Sequence, residues 1–166
     1  MYYEKVFKML QAKKVDYLIA GGMAVNLHGV PRFTKDLDIM VNVSTQNLTR
    51  LAAALKALGF RPQVPVGLDV FLNPQNWKKW RVEKGMLALS LFHPKNPYEV
   101  IDLLTGIPVS FEKAKRKRRR IVAGGLRLNL VSIDDLIRMK RVAGREQDLS
   151  DIEALKKVKA LKRRMK

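Results

Sequence analysis

Residues 18–41 read LIAGGMAVNLHGVPRFTKDLDIMV, and the order of residue types in this stretch decides the architecture. The apolar run at 15–20 (VDYLIA) predicts a short buried strand. Gly21 and Gly22 follow it, and Gly29 ends the next segment, as expected for a tight turn opening a short helix over 21–29. Residues 36–41 (DLDIMV) then alternate polar and apolar before turning wholly apolar, which predicts a strand entering the core. Side chains two apart on a strand share a face, so Asp36 and Asp38 point the same way.

Working outward, Tyr3, Val6, Phe7 and Leu10 stand at helical spacing and predict a helix over 2–12 ahead of the first strand. An Ala/Leu-rich amphipathic helix is expected over 48–58, ended by Gly59. Residues 60–92 carry short apolar runs broken by Pro62, Pro65, Gly67, Pro74 and Gly85, and read as strands and loops. Another strand is expected at 98–104 (YEVIDLL), with Asp102 in its middle, and a hairpin at 119–131 around Gly124-Gly125. Ser132 followed by Asp134 and Asp135 marks a helix start, so 134–142 and, after Gly144, 146–159 are predicted helical.

The chain has 166 residues, 47% of them hydrophobic, which is enough for one domain with its own core and too little for two. The division expected within it is a core over about 1–112 and a basic hairpin with C-terminal helices over about 113–166. Without Cys there is no disulfide scaffold, no thiolate zinc site and no cysteine nucleophile. No run approaches the 18 or so apolar residues of a membrane span, and the start MYYEKVFKML lacks a secretory signal, so a soluble, cytoplasmic protein is expected. The 33 Lys and Arg against 15 Asp and Glu give a net charge of +18, of which +13 falls in residues 113–166. Such a field attracts polyanions. A heat-adapted surface or a solvated tail would produce the same bias. The run KAKRKRRR at 113–120 and the closing KALKRRMK at 159–166 are the expected polyanion surface.

Asp36 and Asp38 would repel one another unless a cation lay between them, and hard carboxylate oxygens suit Mg²⁺ or Mn²⁺. A solvated strand end is the competing reading of an isolated D-x-D. Asp102 adds weight to the metal: flanked by Val100, Ile101, Leu103 and Leu104, it is costly to bury without a partner, which a shared ion would supply. Gly21 and Gly22, lacking Cβ atoms at a helix start, would let backbone N–H groups approach phosphate oxygens.

The order of apolar strand, Gly-Gly, helix, D-x-D with thirteen residues between it and the second Gly, and a strand-embedded Asp resembles the nucleotidyltransferase superfamily of DNA polymerase beta. Gly21, Gly22, Ala24, His28, Gly29, Arg32, Thr34, Asp36 and Asp38 look most like minimal nucleotidyltransferases related to the AbiEii abortive-infection toxins. At the other end, Lys140, Arg145, Asp148 and Asp151 resemble that family's closing motif on two helices. The resemblance implies an α/β (α+β) polymerase-beta-type fold, with a mixed twisted sheet, flanking helices and a short C-terminal helical element. It implies transfer of a nucleoside monophosphate from an NTP to an acceptor hydroxyl, in a component of a toxin–antitoxin kind. Asp36, Asp38 and Asp102 would hold Mg²⁺ or Mn²⁺ ions, with Asp102 also placed to accept the hydroxyl proton. Gly21, Gly22, Arg32 and Lys140 would bind the nucleotide phosphates.

The basic C-terminal third favours RNA with a tRNA-like end as acceptor. Adenylylation of a partner protein, or a non-catalytic nucleic-acid-binding module on the same fold, are the alternatives, and no membrane partner is expected. Helix-end or hydrogen-bonding service is the reading for His28 and Thr34, pairing with Arg145 or Arg141 for Asp148 and Asp151, and core or loop anchoring for Trp77 and Trp80.

Overall fold

The computed structural model describes residues 3–164; Tyr2 of the first predicted helix, and Met165 and Lys166 of the closing basic run, lie outside them. In chain order the elements are α1 (Glu4–Ala12), β1 (Tyr17–Ile19), α2 (Gly21–Leu27), β2 (Leu37–Val41), α3 (Thr45–Leu58), β3 (Arg61–Pro62), α4 (Leu68–Phe71), α5 (Pro74–Lys84), β4 (Ala88–His93), β5 (Asn96–Leu104), α6 (Phe111–Arg116), β6 (Arg119–Ala123), β7 (Leu126–Leu130), α7 (Ile133–Ala143) and α8 (Glu146–Arg164). The seven strands form one mixed sheet in the order β3-β4-β5-β2-β1-β7-β6. Strand β2 runs antiparallel to β1 and parallel to β5, and β1 runs parallel to β7. The basic hairpin β6–β7 therefore extends the sheet on one side, while β4 and the two-residue β3 extend it on the other.

Alternation explains which side chains fill the core. Ile101 and Leu103 of β5 are buried, while Asp102 and Leu104 between and beside them are only partly so. Leu37 and Ile39 of β2 likewise enclose a half-buried Asp38. Helices α1 (Val6, Phe7, Leu10), α3 (Leu51, Leu55), α7 (Leu136) and α8 (Ile152, Leu155) supply the remaining buried apolar stripes.

Residues 60–92 differ from expectation, because they contain α4 and α5 as well as strands. The signal was present in Asn73-Pro74, where the Asn73 side chain caps the helix by accepting from Gln75 N at 3.0 Å and Pro74 occupies the first turn. What hid it is the composition of α5, PQNWKKWRVEK, whose one buried residue is Trp77, so the usual apolar period is missing. Trp77 donates from Nε1 to the Phe71 carbonyl at 2.5 Å, and Trp80 packs against the Phe71 ring, so both indoles anchor this segment. Two further boundaries shift. β2 begins at Leu37, leaving Asp36 in the bend before it, and α8 continues to Arg164, making the C-terminal helical element longer than expected. Among the described residues no helix is long and apolar enough to cross a membrane.

One buried amide pins the strand ends that aim the site. Asn47, in the first turn of α3, accepts from Asp16 N at 2.6 Å and donates to Asp16 O at 3.0 Å and Asn42 O at 2.7 Å. It thereby ties the entrance of β1 to the exit of β2. Replacing Asn47 with Ala takes the side-chain partner from Asp16 N–H and Asn42 O, while Asp16 O keeps the Asn42 amide, and should destabilise the protein by about 1–3 kcal/mol. The measurement is a urea titration, in which the midpoint falls while the slope stays unchanged; an unmoved midpoint would show that solvent replaces the amide.

Candidate active site

The parallel pairing of β2 with β5 sets Leu37 beside Ile101, Asp38 beside Asp102 and Ile39 beside Leu103. Residues in register on adjacent strands face the same way, so two carboxylates from distant parts of the sequence meet on one face of the sheet. Asp36 precedes the strand but lines the same cleft, which also takes in Gly21, Gly22, Arg32, Lys140 and Asp148 and has a volume of about 320 Å³. The seven residues expected from sequence to form the site are thus all brought together. The cleft's apolar wall, with Leu87, Ile107, Pro108 and Met139, was not anticipated, since its members are scattered along loops and helices with no common pattern.

Electrostatics mark the carboxylate pair as the strained element. Burial, and then the neighbouring Asp102, push the Asp38 carboxyl up to about 6, against a hydrogen bond from the Gly22 amide. Asp102 is also raised, first by burial and further by Asp36, with the Ser90 hydroxyl across the β4–β5 register opposing the shift. Its Oδ1 is buried and has no hydrogen-bond partner. An all-oxygen donor set with an unsatisfied carboxylate oxygen and two carboxylates that repel one another fits a hard divalent cation. Asp36 is not fixed by strand register, however, and among the described residues no three Asp, Glu or His side chains close into a metal cluster.

The glycine pair is required by close approach. At Gly21, with φ +55°, a Cβ would overlap the Asp38 carboxylate. At Gly22 a Cβ would stand 2.6 Å from Thr34 Oγ1 and 2.9 Å from Thr34 Cβ. Any larger residue would therefore displace the D-x-D segment from the turn.

Arg32 and Lys140 line the cleft as expected, but each is already neutralised. Arg32 Nη1 meets Asp151 Oδ2 at 2.6 Å, and Lys140 Nζ meets Asp148 Oδ1 at 2.9 Å and Asp151 Oδ2 at 2.6 Å. Arg145 Nε adds a contact to Asp148 Oδ2 at 3.2 Å. Burial works against the Asp148 carboxyl, yet the hydrogen bond and charge of Lys140, with those of Arg145, hold it below the usual range. The expected pairing of Asp148 with Arg145 is present; for Asp151 the partners are Lys140 and Arg32 rather than Arg145 or Arg141. Asp148 and Asp151 are three apart on α8 and so share a helix face, a spacing that points both at one basic cluster. His28 is buried, with Nε2 on the Val131 carbonyl at 2.8 Å, and Thr34 Oγ1 donates to Asp36 O at 3.4 Å, so both serve structure.

No protein-family model and no curated protein matches the sequence. Solved structures do. The chain is similar to the lincosamide antibiotic adenylyltransferase LnuA, solved with lincomycin bound, at TM-score 0.58 and 17% identity, over 91% of this chain and 92% of that one. It is similar to ANT(2")-Ia, solved in complex with adenylyl-2"-tobramycin, at TM-score 0.56 and 13% identity, over 96% and 92%. An antigenic nucleotidyltransferase-like protein from Paracoccidioides brasiliensis aligns at TM-score 0.54 and 20% identity, over 90% and 71%. With its mixed sheet and flanking helices, the chain has the polymerase-beta-like nucleotidyltransferase fold.

Proposed function

We propose that this protein is a divalent-metal-dependent nucleotidyltransferase that moves a nucleoside monophosphate from an NTP to a hydroxyl of an RNA acceptor with a tRNA-like end, as an AbiEii-toxin-like component of a toxin–antitoxin pair. The observation that carries the reading is the register of Asp38 with Asp102 across β2 and β5, with an Asp102 Oδ1 unsatisfied among the described residues in the cleft that Gly21 and Gly22 also line. A non-catalytic binding module for a polyanion gains nothing from carboxylates facing its ligand.

Asp36, Asp38 and Asp102 would hold Mg²⁺ or Mn²⁺. When bound, such an ion neutralises triphosphate charge and lowers the pKa of an attacking hydroxyl. The remaining work falls to the chain's own groups. Asp102 would accept the acceptor's hydroxyl proton, a role its raised affinity for protons supports. The Gly21-Gly22 turn would sit against the phosphates, with the Gly22 amide already held by Asp38, and Arg32 and Lys140 would stabilise charge as it moves onto pyrophosphate, Arg32 oriented by Asp151 and Lys140 by Asp148 and Asp151. Leu87, Ile107, Pro108 and Met139 give the cleft an apolar side.

Incubation with each labelled NTP, Mg²⁺ or Mn²⁺ and total RNA tests the reading, with label expected in RNA. In the same assay Asp38→Asn keeps the side chain's shape but removes its charge, so transfer should fall by about 10²-fold or more while RNA binding holds. Label in a protein instead would reassign the acceptor. No transfer to either would return the chain to the binding-module reading.

A stability measurement checks the carboxylate pair independently of turnover. Because the folded Asp38 pKa of about 6 lies above its ordinary 3.8, the folded state binds more protons than the unfolded one between those values, and stability falls as pH rises through that window. Asp38→Asn should therefore be more stable than the parent at pH 7 without divalent ions, by on the order of 1–3 kcal/mol, and equal to it near pH 4. Mg²⁺ should raise the parent's unfolding midpoint at pH 7 and move the variant's less. A variant less stable than the parent at pH 7 would remove the repulsion from the account.

A further inference from the structure

Strand register fixes Asp38 and Asp102 but not Asp36, which lies in the bend before β2, so its place in the cleft needs another cause. The β2–β5 ladder has its first paired residues at Leu37 and Ile101. Just beyond them stands the hydroxyl of Tyr3, the residue that precedes α1. It accepts from Val100 N at 3.2 Å and lies 2.7 Å from Lys35 O and 2.8 Å from Val100 O, so its one proton serves two carbonyls.

The hydroxyl occupies the place of a ladder bond. Backbone groups alternate in direction along a strand, and the Asp38 carbonyl turns toward β1, where it accepts from Ala20 N at 2.9 Å. The carbonyls of Leu37 and, one step back on the same side, of Lys35 therefore turn toward β5. A ladder continued by one rung would join Val100 N–H directly to Lys35 O; here the phenol is inserted between them, as N–H···O–H···O=C. Its position is set from behind, because the Tyr3 ring is buried in the core with Val6, Phe7 and Leu10 of α1, and the Tyr3 carbonyl accepts from Phe7 N at 3.0 Å. Lys35 ties the same segment to β5 a second time, with Nζ 5.4 Å from the centroid of the Tyr98 ring. A buried tyrosine needs a partner for its hydroxyl, and that need alone would be met by any nearby carbonyl. This hydroxyl holds the peptide that enters Asp36 and the residue two before Asp102. Since the peptide group is planar, fixing Lys35 O fixes the plane from which Asp36 departs.

We propose that Tyr3 is a positioning residue for Asp36, replacing the next rung of the β2–β5 ladder so that this carboxylate joins Asp38 and Asp102 at a divalent cation. The inference rests on the reading of those three carboxylates as a cation site and deepens it by naming what holds the one that strand register leaves loose.

Mn²⁺ binding to the full chain without nucleotide, followed by water-proton relaxation, tests the clamp apart from turnover. Y3F keeps the ring and removes the hydroxyl. It should lower Mn²⁺ affinity about tenfold, the size of effect usual for a group that orients a metal ligand. D36N should lower affinity as well, and Y3F added to D36N should change it by less than about twofold, because the clamp acts through Asp36. A second measurement decides the question even where Y3F does not fold. Coupling is reciprocal, so saturating Mg²⁺ should slow hydrogen exchange of the Val100 amide about fivefold in the parent and leave it unchanged in D36N. Y3F that loses only metal-free stability and binds Mn²⁺ like the parent, a tenfold loss that persists in the D36N background, or Val100 exchange indifferent to Mg²⁺ in the parent would each overturn the clamp. A parent that binds no Mn²⁺ would instead overturn the cation site, and the clamp with it.

Discussion

Two carboxylates held in register on adjacent parallel strands are the constraint around which this molecule is arranged. Asp38 and Asp102 come from segments more than sixty residues apart, and only the β2–β5 pairing sets them side by side. Strand register is rigid in a way that loops are not, because a slip of one residue would turn both carboxylates into the core and Leu37, Ile39, Ile101 and Leu103 out of it. The apolar partners on the far face thus enforce a polar arrangement that is itself unfavourable. Ser90 and the Gly22 amide relieve part of the repulsion, and the Asp102 Oδ1 left unsatisfied shows where relief is incomplete.

The turn at Gly21-Gly22 follows from the same constraint. A Cβ at either position would collide with Asp38 or Thr34, so these glycines let the turn and the D-x-D segment close on each other.

The C-terminal helices are joined to the cleft by charge. Asp148 and Asp151 on α8 bridge to Lys140 on α7 and to Arg32 on the segment that delivers Asp36 and Asp38. Buried networks of this kind add little net stability, since desolvation offsets attraction, but removing one member strands a charge at a cost of about 3–5 kcal/mol. Their effect is geometric: they preset two cations beside two carboxylates and tie α8 to the segment before β2.

Much of this was legible in the linear order of residues. The apolar run before Gly-Gly, the D-x-D spacing, the Asp within an otherwise apolar strand and the hairpin around Gly124-Gly125 all depend on local geometry, where side-chain period and glycine freedom act over a few residues. Segment 60–92 was misread because α5 is polar on nearly every face, and a helix held by one indole and a cap leaves no periodic trace. Sequence by itself therefore determined which residue types stand in strands, turns and caps, and hence that carboxylates, a glycine turn and basic groups would be available. Tertiary structure decided who meets whom: that Asp102 faces Asp38, that Asp151 rather than solvent receives Arg32 and Lys140, and that part of the basic run is spent on Asp16 while Lys162 reaches the His28 carbonyl. These choices rest on the pairing of strands and helices far apart in the chain, where neither periodicity nor propensity carries information about the partner.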